Sequence, residues 1–200
     1  MRLRQAAAAL AISATCHAAC AAELVSPEST HVLRWVLDTH DNGGAPFVIV
    51  DKLAASLRVF DAAGKPLGTA PVLLGAARGD SIVPGTEDRP LSQIARHERV
   101  TPAGRFFARR GRNHGGEEVI WVDVDAGISM HRLRAVSAAE HRMERLLSPT
   151  PSDNRISYGC INVPAAFYDA VLVPAAGRGV VVYVLPETRP AAQWFGFGST

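Results

Sequence analysis

The chain has 200 residues, of which 48% are hydrophobic and 20% charged, and its formal net charge is +2. This length suits one domain with a hydrophobic core. A net charge so close to zero does not indicate the basic surface that nucleic-acid binding requires, so we exclude nucleic acid as a partner.

The first 22 residues have the pattern of a secretory signal peptide. Arg2 and Arg4 form a basic start, residues 6–14 are a short apolar run, and residues 19–22 are small enough for cleavage. The apolar run is too short to span a bilayer, so we expect no stable membrane insertion after its removal. The protein is therefore expected to be periplasmic or secreted.

A second interpretation of the same segment is a lipoprotein signal. Cys20 would then be the lipidated residue, but His17 occupies a position where such signals usually carry an aliphatic side chain. We therefore rank simple cleavage first.

Removal of the signal changes both the charge and the cysteine count. Arg2 and Arg4 leave with no acid, so 19 basic residues face 19 acidic ones. Cys16 and Cys20 leave too, and Cys160 becomes the sole cysteine of the mature chain. An unpaired cysteine in an exported protein is a candidate reactive thiol.

The remaining chain divides into a lead-in at 23–45, a domain at 46–186 and a tail at 187–200. Within the lead-in, residues 32–37 suit a short helix or a strand. The domain has mainly β signals, with runs rich in β-branched and aromatic residues between turns. These predicted strands are 46–51, 56–61, 69–75, 104–108, 118–124, 127–133 and 179–185.

Several of these segments carry more specific expectations. Pro71 places its strand at a sheet edge, and the nearly all-apolar run 179–185 predicts a strand buried on both faces. Residues 118–124 and 127–133 should form an antiparallel pair. Residues 109–116 read as a basic turn, and the long polar stretch 79–100 as a functional loop.

Two short helices complete the prediction. Ser137 and Glu140 form a capping box for a helix at 137–147, whose apolar side is supplied by Ala138, Ala139, Met143, Leu146 and Leu147. A second helix should follow Pro164. We therefore predict a mainly β sandwich or barrel with two short inserted helices near the active-site cleft.

Cys160 lies in the stretch of sequence that is the main candidate for a functional site. Gly159 allows an unusual backbone conformation directly before it. If the helix begins close behind, its dipole favours the thiolate, as a nucleophile requires. The alternative is a buried, inert cysteine, for which a tight loop is a poor place.

A thiol nucleophile needs a base. Four of the candidate histidines lie in turns, in a loop or on a helix surface: His40, His97, His114 and His141. His131 lies instead on a predicted strand among hydrophobic neighbours, which would hold its ring rigidly. We therefore select His131, while a half-buried structural histidine remains the alternative.

Three segments together resemble the L,D-transpeptidase catalytic domain, or YkuD, family. They are Met130-His131, the run Ser157-Tyr158-Gly159-Cys160-Ile161-Asn162, and the run Thr101-Pro102-Ala103-Gly104-Arg105-Phe106. The resemblance covers roughly residues 46–186. Tyr158 stands where the family has a histidine, and the spacer between His131 and Cys160 is longer than usual.

The resemblance implies an acyl transfer on peptidoglycan stem peptides. Cys160 would attack the carbonyl and form a thioester, with His131 as base. Ser157, Tyr158 and Gly159 would support the loop or the oxyanion hole. Asn162, Arg155 and Arg132 are the candidate substrate-binding residues. We expect no cofactor and no metal, since one cysteine and scattered histidines give no ligand spacing.

Two other functions stay open at this point. A non-catalytic peptidoglycan-binding module with a degenerate site is the alternative that Tyr158 keeps open. An unrelated cysteine hydrolase would be favoured if His97 or His114 faced the sulfur. The pKa of Cys160 would separate catalysis from binding, because an activated thiol titrates below about 8.5.

Overall fold

The computed structural model describes residues 25–134 and 137–198. The signal peptide at 1–22 and the candidate lipidation site at Cys20 lie outside these residues. The fold is mainly β, as expected from the sequence.

In the part of the chain that the structure describes, ten strands form one large sheet and one small one. They are β1 (Phe47–Asp51), β2 (Ser56–Phe60), β3 (Pro66–Pro71), β4 (Leu74–Gly75), β5 (Gly104–Arg112), β6 (Glu118–Asp123), β7 (Ile128–Arg132), β8 (Arg155–Ser157), β9 (Ile161–Val163) and β10 (Val180–Val184). The large sheet has the order β3-β2-β1-β10-β5-β6-β7-β9, and β4 pairs with β8 separately. The expected antiparallel pairing of β6 with β7 is confirmed, and so is the edge position of β3.

The sheet buries both of its faces in the middle. In β1, Val48 and Val50 face the main hydrophobic core, whereas Phe47 and Ile49 face a second core on the other side. All five residues of β10 are buried, which confirms the prediction from its apolar run. Alternation of side chains along a strand accounts for this division.

Helix α1 (Pro27–Thr39) covers the second core. Its first turn is capped by Ser26, whose side chain accepts the Ser29 N–H, and Pro27 occupies the first helical position. Trp35 packs edge-on against Tyr183 with ring centroids 5.9 Å apart. The lead-in is thus a helix that packs on the domain.

The helix expected at 137–147 is divided into two pieces. A 3₁₀ turn (Ala138–Glu140) precedes helix α2 (Arg142–Leu147), because His141 adopts a left-handed conformation with φ 49°. Ser137 caps the first turn as expected, but Glu140 does not complete the predicted capping box, because its carboxylate accepts from Arg142 Nε. Met143 and Leu147 are exposed rather than part of an apolar side.

The helix expected after Pro164 is confirmed, and its helical residues are α3 (Ala165–Phe167), a π-helical turn (Tyr168–Leu172) and α4 (Val173–Ala175). Strand β9, which was not predicted, lies between the cysteine and these helical residues. Its β-branched residues Ile161 and Val163 pair with β7 in parallel. A helix dipole therefore does not act directly on the thiol.

Two boundaries need correction as well. Strand β5 continues to Arg112, so the basic turn is shorter than the predicted 109–116. The expected tail contains helix α5 (Ala191–Phe195), and Phe195 stacks on Trp35 with centroids 5.7 Å apart.

Candidate active site

The parallel pairing of β7 and β9 brings the cysteine and the histidine onto one face of the sheet. His131 is opposite Asn162, two residues beyond Cys160. With strands spaced about 4.8 Å apart and a rise of about 3.3 Å per residue, the Cα atoms of His131 and Cys160 lie about 8 Å apart. The intervening Met130 and Ile161 point into the main core. The sequence prediction that joins these two residues in one site is therefore consistent with the fold.

The sulfur of Cys160 is half-buried and has two polar neighbours. Ser129 Oγ lies 3.6 Å from Sγ, and the Gly127 carbonyl oxygen lies 3.5 Å from it. Among the described residues, no hydrogen bond joins Sγ to His131. Catalytic hydrogen bonds in unliganded sites often tighten only when substrate binds.

The His131 ring is oriented by the main chain. Its Nδ1 lies 2.8 Å from the Arg132 carbonyl oxygen. A carbonyl only accepts, so Nδ1 carries the proton and Nε2 keeps a lone pair for a substrate or thiol proton. Burial lowers the pKa of His131 below its ordinary value, against the opposing hydrogen bond to Arg132. The ring is therefore neutral, and competent as a base, at neutral pH.

The loop before the cysteine is held by Ser157 and Gly159. Ser157 Oγ donates to the Cys160 carbonyl at 2.6 Å and accepts the Gly159 N–H at 3.1 Å. Gly159 has a φ of 131°, and a Cβ there would lie 2.7 Å from the Val100 carbonyl oxygen. Since Gly159 N–H is already engaged, the N–H groups of Tyr158 and Cys160 are the remaining oxyanion candidates from the sequence prediction.

Thr101 fixes the same loop from the other side. Its hydroxyl donates to the Gly159 carbonyl at 2.8 Å and accepts the Gly75 N–H, also at 2.8 Å. The residue is fully buried. The Thr-Pro-Ala-Gly segment thus connects β4 to the cysteine loop through the Thr101 hydroxyl.

Tyr158 occupies the position where the resembled family has a histidine. The Arg99 guanidinium lies over its ring, 3.9 Å from the centroid, and Arg99 Nε is held by the Ile94 carbonyl at 3.0 Å. This stacking fixes the ring at the wall of the cleft. Tyr158 therefore packs against Arg99 and forms part of the wall of the cleft.

Asn162 is almost fully buried and connects the cysteine to the inserted helix. Its Nδ2 donates to the Cys160 carbonyl at 3.3 Å, and its Oδ1 accepts from Arg142 Nη1 at 2.7 Å. Arg142 is also bound to Glu140 through Nε at 2.6 Å. Arg142 was not among the site residues predicted from the sequence. The only indication was that it lies in the unusually long spacer between His131 and Cys160.

The structure does not bring Arg132 and Arg155 into the cleft. Arg132 alternates to the face opposite His131, where it pairs with Asp169 and Glu118. Arg155 is buried and bound to Glu187 and to the Lys52 carbonyl. Both cations stabilise other parts of the fold.

A cavity of about 480 Å³ opens above these residues. The loop 79–100, expected to be functional, supplies one wall. The lining includes Ser129, His131, Arg142, Tyr158, Cys160 and Asn162. His114 also lines the cavity, but from the exposed turn after β5, so His131 remains the rigidly held base candidate.

Within 25–134 and 137–198, no helix is long and apolar enough to cross a membrane. Over the same ranges, His, Cys, Asp and Glu side chains form no cluster suited to a metal ion.

No protein-family model matches the chain, and no curated protein matches it either. Solved structures do match. The avibactam carbamoyl enzyme of Ldtfm is 18% identical, with a TM-score of 0.44, over 70% of this chain and 49% of that one. The helical cell shape determining protein Pgp2 from Campylobacter jejuni is 18% identical, with a TM-score of 0.45, over 73% and 50%.

The catalytic domain of the E. faecium L,D-transpeptidase is also 18% identical, with a TM-score of 0.38, over 71% of this chain and 98% of that one. The chain thus spans about half the length of the two larger proteins. With identities of 18% and TM-scores of 0.45 or lower, these matches carry no argument about this chain. In the order of its motifs the chain resembles L,D-transpeptidase catalytic domains, and solved structures from that family are among those it matches.

Proposed function

We propose that the protein is a cysteine L,D-transpeptidase that acts on peptidoglycan stem peptides in the cell envelope. The observation that supports this most is that His131 on β7 and Cys160, directly before the neighbouring strand β9, line one cavity. The neutral imidazole and the bound Nδ1–H give a base whose free nitrogen is Nε2.

In the first half-reaction Cys160 Sγ attacks the peptide carbonyl after an L-centre of the stem peptide. His131 Nε2 takes the thiol proton, and the developing oxyanion is stabilised by the N–H groups of Cys160 and Tyr158. The C–N bond then breaks, and the imidazolium returns its proton to the departing amine. A D-amino acid leaves, and a thioester remains on the sulfur.

In the second half-reaction an amine of another stem peptide, or water, attacks the thioester. His131 removes a proton from this acceptor, the C–S bond breaks, and the thiol regains a proton. An amine acceptor gives a cross-link, whereas water gives L,D-carboxypeptidase trimming. No step requires a redox change.

Digestion of purified peptidoglycan with the mature chain, followed by mass analysis, tests this function. We expect tetrapeptide fragments to lose their terminal D-amino acid, or to appear as L,D-linked dimers. A Cys160→Ala chain should yield neither product. Tight binding to peptidoglycan without new products would identify the non-catalytic binding module instead.

A further inference from the structure

Arg142 is an almost completely buried cation in the wall of the cavity that also contains Cys160. It is 9% exposed. A buried guanidinium is costly unless its donors are engaged. The hydrogen bonds of the Arg142 guanidinium therefore indicate which of its N–H groups remain for a ligand.

Two of its nitrogens are committed to the protein. Nε donates to Glu140 at 2.6 Å, and Nη1 donates to Asn162 Oδ1 at 2.7 Å. Within residues 25–134 and 137–198, no hydrogen bond engages its Nη2. The other cavity arginines are ion-paired on the more exposed rim, Arg89 with Glu98 and Arg134 with Glu117.

Asn162, which accepts a hydrogen bond from Arg142 Nη1, follows Cys160 by two residues, which is about 7 Å of extended chain. In a peptide that ends one residue beyond the scissile carbonyl, the terminal carboxylate lies about 3.5 Å from the carbonyl carbon. A hydrogen bond of about 2.8 Å from this carboxylate then reaches an arginine in the wall of the cavity that contains Cys160.

We propose that Arg142 binds the free C-terminal carboxylate of the acyl donor, one residue beyond the scissile carbonyl. The inserted segment that distinguishes this chain from the resembled family thus selects donors ending in a D-amino acid with an unblocked carboxylate. The identity of the donor rests on the proposed function. The carboxylate site itself rests only on the contacts of Arg142.

The peptide test compares a stem tetrapeptide with its C-terminal amide, by release of D-alanine or D-alaninamide. Wild type should prefer the free acid by about tenfold to a hundredfold, the range for a hydrogen bond between charged groups. Arg142→Gln should lose this preference, and Arg142→Lys should keep part of it. A purely structural role would lower both rates equally and leave their ratio unchanged. A wild-type chain without any preference would overturn the proposal even if the variants failed to fold.

The second test does not depend on peptidoglycan chemistry. Iodoacetate and iodoacetamide alkylate the same sulfur, but only the first carries a carboxylate. The iodoacetate-to-iodoacetamide rate ratio at Cys160 should fall severalfold in Arg142→Gln. Arg109→Gln removes the same charge from β5, outside the cavity, and should keep the wild-type ratio.

The two tests separate the two proposals. A ratio that depends on Arg142, in a chain that releases no D-alanine, would refute the transpeptidase function and support the carboxylate site. D-alanine release with both ratios independent of Arg142 would refute the carboxylate site alone. Failure of both tests would refute both.

Discussion

The hydroxyl of Thr101 shows how one buried atom sets the geometry of the cleft. It binds the Gly159 carbonyl, which belongs to the same peptide plane as the Cys160 N–H. The orientation of that plane decides where the N–H points, and an oxyanion hole depends on this direction. Thr101 is therefore a positioning residue rather than a catalytic one.

Thr101→Val should separate this role from simple packing. The change keeps the shape but leaves the Gly159 carbonyl and the Gly75 N–H without a partner, at a cost of about 1–3 kcal/mol in the free energy of unfolding. We expect kcat for tetrapeptide turnover to fall about tenfold or more, because the oxyanion donor is no longer fixed. Thr101→Ser should restore most of both quantities. Wild-type kcat in Thr101→Val would contradict this role.

His131 gives a pH prediction with a definite sign. Burial lowers its pKa, so the neutral, proton-accepting ring persists below the ordinary value of about 6.5. Activity should therefore fall only as the pH drops through this lowered value.

His131→Gln tests this directly through the pH profile of tetrapeptide turnover. The variant should lose about 10²–10⁴-fold in rate, together with the acid limb of the profile. An acid limb that survives in the variant would assign the base to another residue, with His114 the next to examine.

At the scale of the elements, the sequence predicted what depends on local pattern. Alternation and β-branched runs gave β1, β2, β6, β7 and β10, and the apolar run of β10 gave its burial on both faces. The helix after Pro164 was predicted correctly, but β9 was not, because this strand is stabilised by a partner thirty residues away in the chain. Local propensity contains no information about such pairing.

The candidate site shows the same limit. The motif predicted Cys160 and His131, and the pairing of β7 with β9, which brings both residues to one cavity, is consistent with it. Arg142 was missed because its burial arises only when the inserted segment folds back onto Asn162. Arg132 was misplaced because its strand alternation turns it towards Asp169.

Gly159→Ala tests whether the cysteine loop tolerates any side chain. A Cβ would lie 2.7 Å from the Val100 carbonyl and 2.8 Å from Ile128 Cδ1, in a backbone conformation that L-residues rarely adopt. We expect a marked loss of both the free energy of unfolding and the Cys160 alkylation rate. Gly43→Ala is the matched control, since Gly43 also has a positive φ but faces open space. It should lose only about 1 kcal/mol and keep the wild-type alkylation rate.

Across the whole molecule, a buried ion network joins distant parts of the chain behind the cleft. Lys52 Nζ lies 2.9 Å from Asp80 and 3.5 Å from Glu187, and Arg155 binds Glu187 as well. Lys52 also donates to the Thr101 carbonyl at 3.0 Å. The network therefore holds Thr101, which in turn holds the cysteine loop. Arg155 stabilises this network through Glu187.

The network predicts an acid-sensitive stability. Burial alone would raise the pKa of Asp80, but hydrogen bonds from Thr188, Lys52 and the Glu187 N–H outweigh it and lower the pKa to about 2. A depressed carboxyl pKa stabilises the fold above the unfolded value of about 3.9. This contribution, about 2 kcal/mol, is lost as the pH falls towards 2.

Urea unfolding from pH 7 to pH 2 checks this contribution. Asp80→Asn should be destabilised by about 3 kcal/mol at pH 7, because Lys52 loses a buried partner, and its loss of stability in acid should be shallower than in wild type. Asp88→Asn removes an exposed carboxyl and should follow the wild-type curve. Parallel acid profiles for wild type and Asp80→Asn would show that Asp80 does not carry the effect.

The most direct measurement is the intact mass of the mature chain during incubation with a stem tetrapeptide. Our account predicts a transient mass increase equal to the acyl part of the peptide without its terminal D-amino acid, mapped by digestion to Cys160. The adduct should be absent in Cys160→Ala. Tetrapeptide turnover by wild type with no adduct on Cys160, or with the acyl group on another side chain, would contradict the account.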